Sequence, residues 1–240
     1  MRVQRFHYRI KQLEINLRGS ILETIMRWLH LYIGKINSDS YIRYLRERDA
    51  LDVKTCLDIG SDLGTFVNDL NLLGIDTEGI ESEQDRVDSS ISPKIKCATF
   101  GLDYSNNKKY DLITLPQVIE FLGDIIPMLL KLKSMLNPDG MIFIVAFTPH
   151  GSDHHISKYP NHKLYSKNEY YETCSKVGLK LIDYTDVKSN IGMAFNNGKI
   201  LSVIRVLLFM SGLKKPIEKR RVIMPIFYYV TDVMFYSIFR

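Results

Sequence analysis

The chain has few residues that would hold a fold together through covalent or metal crosslinks. It contains 3 cysteines in 240 residues, Cys56, Cys97 and Cys174, which lie far apart and match no metal-ligand spacing. An odd cysteine count without a framework spacing argues against a disulfide scaffold and favours a reducing compartment. Cys56 and Cys97 fall in apolar runs that predict strands, where a thiol is expected to be a buried small hydrophobe.

Long uninterrupted apolar runs are also missing. The basic N-terminus, residues 1–19, lacks the apolar core of a signal peptide, so we expect a cytoplasmic protein. Residues 222–239 are apolar, but Pro225 and Asp232 interrupt them. A charge near the bilayer centre costs several kcal/mol, so we expect this segment to lie at a membrane surface or to cap the active site rather than span a membrane.

Charge is distributed unevenly along the chain. Residues 1–50 hold 10 Lys and Arg against 5 Asp and Glu, residues 51–187 hold 13 against 20, and residues 188–240 hold 9 against 2. The C-terminal excess includes a basic cluster, which consists of Lys214, Lys215, Lys219, Arg220 and Arg221. Basic flanks around an acidic core indicate contact with something anionic, although solvated helix faces would give the same pattern.

Short apolar runs alternate with helical patterns from Lys54 onward. The predicted strands are Thr55–Ile59, Thr77–Ile80, Ile95–Ala98, Tyr110–Leu115, Met141–Phe147 and Leu179–Asp186. The predicted helices among them are Leu63–Leu73, Asp124–Leu136 and Lys167–Val177, and Asn137-Pro138-Asp139-Gly140 predicts a turn after the second of these. This alternation predicts an α/β fold whose parallel sheet is buried on both faces.

Residues 1–50 predict a helical N-terminal extension to a domain over residues 51–240. Apolar residues recur at helical spacing between Ile21 and Ile33, on either side of Trp28. The cluster Ser38-Asp39-Ser40 can cap exposed amides, so a second short helix is expected from there to about Ala50.

The turn after the first predicted strand carries the clearest chemical signal. Gly60 and Gly64 allow a tight turn and a close approach of the backbone to a ligand. A dinucleotide fingerprint needs a third glycine and G-x-G-x-x-G spacing, which this turn lacks, and Asp58 and Asp62 would repel a pyrophosphate. Glu81 ends the second predicted strand, where an acid can accept hydrogen bonds from ribose hydroxyls. The turn therefore favours a cationic ligand that carries a ribose.

Four segments occur in a characteristic order: LDIGSDLGTF at 57–66, GIE at 79–81, YDLITLPQVIEFLGD at 110–124 and LNPDGMIFIVAFTPHG at 136–151. Together they resemble class I S-adenosylmethionine-dependent methyltransferases, especially the branch that acts on quinones, small metabolites and glycans. The resemblance covers residues 50–187. It implies a Rossmann-like, doubly wound, mostly parallel seven-stranded sheet. It also implies that the last strand, within Val230–Ile238, is antiparallel, and that residues 190–224 form an apolar and basic insertion or cap.

The resemblance also implies how the cofactor S-adenosylmethionine is held. Residues of the glycine turn would cradle its methionine part: Asp58, Gly60, Ser61, Asp62 and Gly64. Glu81 would hold the ribose, and Thr99 and Phe100 would lie against the adenine. Leu115, Pro116 and Gln117 would line the methyl-transfer site.

The chain departs from the family pattern at three positions. Asp62 replaces a glycine in the middle of the turn, Thr99 stands where an acid commonly lies near the adenine, and Phe121 replaces the histidine of a frequent Glu-His pair. Any metal or base role tied to that histidine is therefore in doubt.

Histidines follow the fifth predicted strand, at the sheet edge where an acceptor is expected: His150, His154, His155 and His162. An oxygen acceptor usually needs a base, most often histidine, and His150 and His154 are the candidates. Two other interpretations remain open, a divalent metal site that includes Asp153 and a polar loop without a role.

We therefore expect O-methylation of a small-molecule, glycan or lipid-linked acceptor, with no bound metal and with peripheral membrane contact through the basic C-terminal segment. Nucleic acid is not an expected partner, because the basic residues flank the domain and are not interleaved with aromatic residues. The alternatives are a non-catalytic protein that binds the same cofactor and a nucleotide-dependent oxidoreductase or sugar-modifying enzyme.

Overall fold

The computed structural model describes residues 21–147, 165–188 and 233–240. Its helices are α1 (Ile21–Arg46), α2 (Thr65–Leu72), α3 (Gln84–Asp88), α4 (Ile125–Ser134) and α5 (Lys167–Lys176). Its strands are β1 (Thr55–Ile59), β2 (Asp76–Glu81), β3 (Ile95–Cys97), β4 (Tyr110–Pro116), β5 (Leu136–Phe147), β6 (Leu181–Lys188) and β7 (Val233–Phe239). Within these residues, no helix is long and apolar enough to cross a membrane.

The seven strands form one sheet in the order β3-β2-β1-β4-β5-β7-β6. Strands β1 to β5 pair in parallel, whereas β7 is antiparallel to both β5 and β6. This is the mostly parallel Rossmann-like sheet that the resemblance implies, and the antiparallel last strand is confirmed. The strand order reverses between β1 and β4, which is where doubly wound sheets open a crevice at the carboxyl ends of their strands.

The central strands are apolar because helices cover both faces of the sheet. Every residue of 141–147 in β5 is buried. Alternate residues enter two separate cores: Leu57 and Ile113 pack on one face, and Cys56 and Leu112 on the other. A parallel sheet buried on both sides therefore appears in the sequence as continuous apolar runs.

Two helix ends follow local capping rules. Asp124 accepts a hydrogen bond from the Ile126 N–H at the start of α4, and Ser166 and Glu169 form a reciprocal capping box at the start of α5. Gly178, with φ 71°, follows α5 in the left-handed conformation that commonly ends a helix.

The N-terminal segment differs from the prediction of two helices. Residues 21–46 form one continuous helix, and the Ser38-Asp39-Ser40 cluster lies inside it. The Ser38 hydroxyl donates to the Asp69 carboxylate of α2 at 2.5 Å, so it satisfies a tertiary partner instead of capping exposed amides. Gly34 allows the two helices to approach closely, because a Cβ there would lie 2.8 Å from Thr65 Oγ1.

Two further expectations are corrected. The predicted turn Asn137-Pro138-Asp139-Gly140 lies within β5, where the pairing with β4 shifts register between Tyr110 and Leu112 and Asp139 takes a φ of 66°. The turn residues therefore form an irregularity in a longer strand. Cys97 is exposed, since β3 is an edge strand, whereas Cys56 is buried as expected.

The Ser38–Asp69 contact gives a test of how α1 is attached. Ser38 is fully buried and Asp69 is 8% exposed, so Ser38→Ala removes a hydrogen bond to a buried carboxylate. We expect the free energy of unfolding in urea to fall by about 1–3 kcal/mol. Ser40→Ala on the same helix is the matched control and should change it by less than about 0.5 kcal/mol. Equal effects of the two variants would contradict the role given to Ser38.

Candidate functional site

A cavity of about 700 Å³ opens at the carboxyl ends of β1, β2 and β4, at the reversal of strand order. Nine residues singled out in the sequence line it: Asp58, Gly60, Ser61, Asp62, Glu81, Thr99, Phe100, Pro116 and Gln117. Gly64 and Leu115 do not line it. Gly64 precedes α2 with φ 80°, and Leu115 is fully buried in the sheet core. The structure thus brings residues from three strand ends around one space.

The turn between β1 and α2 is held to the end of β2 by backbone hydrogen bonds. The N–H groups of Gly60 and Ser61 both donate to the carbonyl oxygen of Ile80, at 2.8 and 3.0 Å. Gly60 has φ 75°, and a Cβ there would overlap the Val118 side chain. A larger residue would therefore be strained and would also meet the cavity wall.

Asp62, which replaces a glycine of the family pattern, fits this turn. Its φ is 50°, a left-handed conformation that aspartate tolerates better than most residues. Its side chain contacts His30 Nε2 of α1 at 2.9 Å and Arg86 Nη1 of α3 at 2.6 Å. Burial would raise the pKa of Asp62, but the hydrogen bond from His30 and the charge of Arg86 outweigh it and lower that pKa. The positive charge of Arg86 therefore offsets the negative charge that Asp62 adds to the site.

Glu81 presents an oriented carboxylate at the end of β2. Its Oε2 accepts the Asp62 N–H at 2.9 Å. Its Oε1 accepts the Glu83 N–H at 3.1 Å and the Ser82 hydroxyl at 3.2 Å. A carboxylate has about four lone-pair sites, so these three donors fix its position and leave capacity for a ligand hydroxyl. The arrangement suits a ribose.

Asp58 is a buried acid beneath the turn. It is 1% exposed, and its Oδ1 accepts the Thr114 hydroxyl at 2.5 Å. Burial raises the pKa of Asp58 from 3.8 to about 7, although the Thr114 hydrogen bond acts in the opposite direction. A cation bound nearby would favour its charged form, whereas an anionic pyrophosphate would be repelled. The carboxylates around the turn therefore fit a sulfonium and an ammonium group.

The other end of the cavity is largely apolar. Residues that follow β4 and end β5 line it: Pro116, Gln117, Val118, Phe121, Leu122 and Phe147. Gln117 has φ 59°, and its N–H donates to the Val145 carbonyl at 2.7 Å, which ties the end of β4 to β5. This end suits an apolar or mixed acceptor beside the polar turn.

Glu120 is a buried acid that sequence reasoning noted only as part of the altered Glu-His pair. It is 3% exposed, and its Oε1 accepts the Phe147 N–H at 2.7 Å. Its Oε2 is buried without a hydrogen-bond partner in the described part of the chain. Burial raises the pKa of Glu120 from 4.5 to about 7. Glu120 therefore anchors the end of β5, where the histidine-rich segment begins.

The histidines proposed as a base or as metal ligands lie outside the described residues: His150, His154, His155 and His162. Their role therefore stays a prediction. Across residues 21–147, 165–188 and 233–240, no group of three or more His, Cys, Asp or Glu side chains could hold a metal ion.

Sequence reasoning missed the contribution of α1. Six of its residues line the cavity: His30, Ile33, Gly34, Asn37, Ser38 and Tyr41. The helical pattern in the sequence rests on apolar residues between Ile21 and Ile33, and of those named only Ile33 lines the cavity.

Comparison with known proteins is consistent with this geometry. A family model described as a methyltransferase domain matches residues 27–184. A search of curated proteins gives no match.

Three solved structures share the fold. A putative sarcosine dimethylglycine methyltransferase from Galdieria sulphuraria has 12% identity and a TM-score of 0.64, over 85% of this chain and 84% of that one. Residues 942–1257 of StiE, described as an O-MT, have 12% identity and a TM-score of 0.54, over 78% of this chain and 68% of that one. A complex of the Haloferax volcanii Trm112 methyltransferase activator with a putative methyltransferase has 14% identity and a TM-score of 0.50, over 57% of this chain and 65% of that one.

Glu120 provides a pH test of the site. Its folded-state pKa is raised, so its stabilising contribution is complete below about pH 4 and is lost as the pH rises through 7. Glu120→Gln keeps an acceptor for the Phe147 N–H but cannot ionise. We expect it to match the wild type at about pH 4 and to be roughly 1–3 kcal/mol more stable at pH 8, as measured by urea unfolding.

Glu172→Gln is the matched control, since Glu172 is exposed on α5 and its substitution should leave the pH profile unchanged. A Glu120→Gln profile parallel to that of the wild type would show that the Glu120 carboxyl does not ionise in this range.

Proposed function

The chain belongs to the methyltransferase domain family, whose members take their methyl group from S-adenosylmethionine, and from that premise we propose how its cavity serves the reaction. The enzyme is an S-adenosylmethionine-dependent methyltransferase. We propose that the cofactor occupies the cavity at the ends of β1, β2 and β4, with its ribose at Glu81 and its methionine part at the glycine turn.

The observation that carries this proposal is the oriented carboxylate of Glu81. Three donors hold it at the end of β2, and it borders the cavity beside the turn. Thr99 and Phe100, just beyond β3, provide the wall for an adenine ring. The methionine part is bordered by Asp58, Gly60, Ser61 and Asp62. Two further residues do not line the cavity but shape it: Gly64 shapes the turn, and Leu115 shapes the end of β4.

When bound, S-adenosylmethionine supplies a methyl group that a positively charged sulfonium activates. The protein's part is to align the acceptor with that methyl group and to exclude water. The apolar end around Pro116 and Phe147 is suited to both tasks, with Gln117 as its polar contact.

For the acceptor we propose O-methylation of a small molecule, a glycan or a lipid-linked compound. The base would be His150 or His154. Phe147 lines the cavity, and the histidine-rich segment follows it directly in the chain. A histidine within reach of an acceptor hydroxyl would take its proton as the methyl group transfers.

We propose that residues 1–50 and 51–240 act as one catalytic unit in the cytoplasm, with residues 190–224 covering the acceptor. The basic cluster Lys214–Arg221 would bring the enzyme to an anionic membrane surface, where each basic side chain contributes roughly 1 kcal/mol.

The cofactor site is tested by calorimetric titration with S-adenosylmethionine and S-adenosylhomocysteine. The wild type is expected to bind both at micromolar concentration, and NAD should not bind. Glu81→Ala should weaken binding by at least tenfold, because it removes the acceptor for the ribose hydroxyls and also frees the Asp62 N–H.

Glu172→Ala is the control for this titration and should bind like the wild type, since Glu172 is exposed on α5 away from the cavity. Absence of binding of either sulfur compound to the wild type would overturn the proposed function.

The membrane proposal is tested by sedimentation with liposomes that contain an anionic lipid. Binding should occur at low salt and fall as salt rises, because it depends on screened charge. A variant with Lys214, Lys215, Lys219, Arg220 and Arg221 changed to Ser should stay in the supernatant. Failure of the wild type to sediment at low salt would remove the proposal.

A further inference from the structure

One face of α1 forms a wall of the cavity. The six lining residues fall about one helical turn apart, singly or as neighbouring pairs: His30, Ile33 with Gly34, Asn37 with Ser38, and Tyr41. This is the spacing of a single helical face. Residues of this face therefore lie next to whatever the cavity binds, even though α1 precedes the sheet in the chain.

Contacts on both sides of Asn37 hold this face in register. Toward the N-terminus, His30 contacts the Asp62 carboxylate at 2.9 Å. Next to Asn37, Ser38 donates to Asp69 at 2.5 Å. One turn further on, the Tyr41 ring packs edge-on against Phe66 with 5.5 Å between centroids. The position of Asn37 along the cavity is thus determined by its neighbours.

Asn37 itself has an unsatisfied group. Its Oδ1 is buried and has no hydrogen-bond partner among the described residues. A buried amide oxygen without a donor is costly, so a partner such as a ligand, an ion or a water is expected beside it. Asn37 also lines the cavity, so a ligand there can supply the missing donor.

The location of Asn37 indicates which part of the ligand it meets. Along α1 it lies two turns beyond His30, which contacts the glycine turn, and one turn before Tyr41, whose hydroxyl pairs with Gln117. The adenosine end is defined by other elements, through Glu81 on β2 and Phe100 after β3. The proposed function places the methionine part of the cofactor at the glycine turn, which this face of α1 borders.

We propose that Asn37 binds the amino-acid end of S-adenosylmethionine, with its carboxamide oxygen accepting a hydrogen bond from the ammonium group. This inference rests on the proposed function. Asp58 and Asp62 already provide negative charge at this end, so a neutral acceptor adds a hydrogen bond without further repulsion between carboxylates. α1 is then part of the cofactor site, and the N-terminal segment is required for binding.

Truncation of the ligand tests this contact. 5′-Methylthioadenosine retains the adenosine and the sulfur of S-adenosylhomocysteine but lacks the amino-acid end. We expect Asn37→Ala to weaken S-adenosylhomocysteine binding at least tenfold, equivalent to about 1.4 kcal/mol, by calorimetric titration. Its affinity for 5′-methylthioadenosine should stay within twofold of the wild type. Asn37→Leu, which keeps the side-chain volume, should show the same selective loss.

Each outcome has a definite meaning. Equal weakening of both ligands would show that Asn37 supports the fold of the cavity, and no weakening of either would show that it does not contact the cofactor; both overturn the inference. Ser40→Ala, on the same helix but outside the cavity lining, should bind both ligands like the wild type. If the wild type binds neither ligand, the proposed function fails before the role of Asn37 is at issue.

Discussion

The reversal of strand order beside β1 is the constraint on which the rest of the structure depends. β1 pairs in parallel with β2 on one side and with β4 on the other, so the connections that leave β1 and β4 go to opposite faces of the sheet. The space left at their carboxyl ends is the cavity. Residues distant in sequence, such as Gly60, Glu81 and Gln117, meet there because the sheet aligns the ends of their strands.

The electrostatics of this crevice follow from where its acids are placed. Glu81 is fixed by three donors, Asp58 is buried against Thr114, and Asp62 is balanced by His30 and Arg86. Burial alone would disfavour so many carboxylates, and it raises the pKa of Asp58 to about 7. A cationic ligand relieves this cost, whereas a pyrophosphate would add to it. The same acids are thus better suited to a sulfonium compound than to a dinucleotide.

Packing joins the N-terminal helix to this chemistry. α1 is fastened to α2 through Asp69 and approaches it closely at Gly34, where a side chain would meet Thr65. At its other end, Tyr44 of the helix and Arg48 just beyond it both donate to the Asp183 carboxylate of β6, at 2.6 and 2.5 Å. The helix therefore bridges the two halves of the sheet on one face. This attachment places His30 against the glycine turn and Asn37 in the wall of the cavity.

The sequence by itself determined the α/β class, the position of most strands and the set of residues around the glycine turn. These features depend on local signals: apolar runs of strand length, glycines at set intervals and an acid at a strand end. The comparisons confirm the fold and the methyltransferase family. Local patterns failed where a distant partner decided the outcome. Ser38 bonds to Asp69 and lies inside a helix, and Asn137–Gly140 lie within β5 between two residues, Leu136 and Met141, that pair with β4.

Only the tertiary structure decided that α1 lines the cavity, that Asp62 contacts His30 and Arg86, and that Glu120 is buried against the Phe147 amide. These contacts join residues 24 to 32 positions apart, and no local spacing encodes them. They form because the sheet and its helices bring separate segments together. Burial then strengthens the interactions between their charges and makes unpaired oxygens costly, and neither effect can be inferred from the linear sequence.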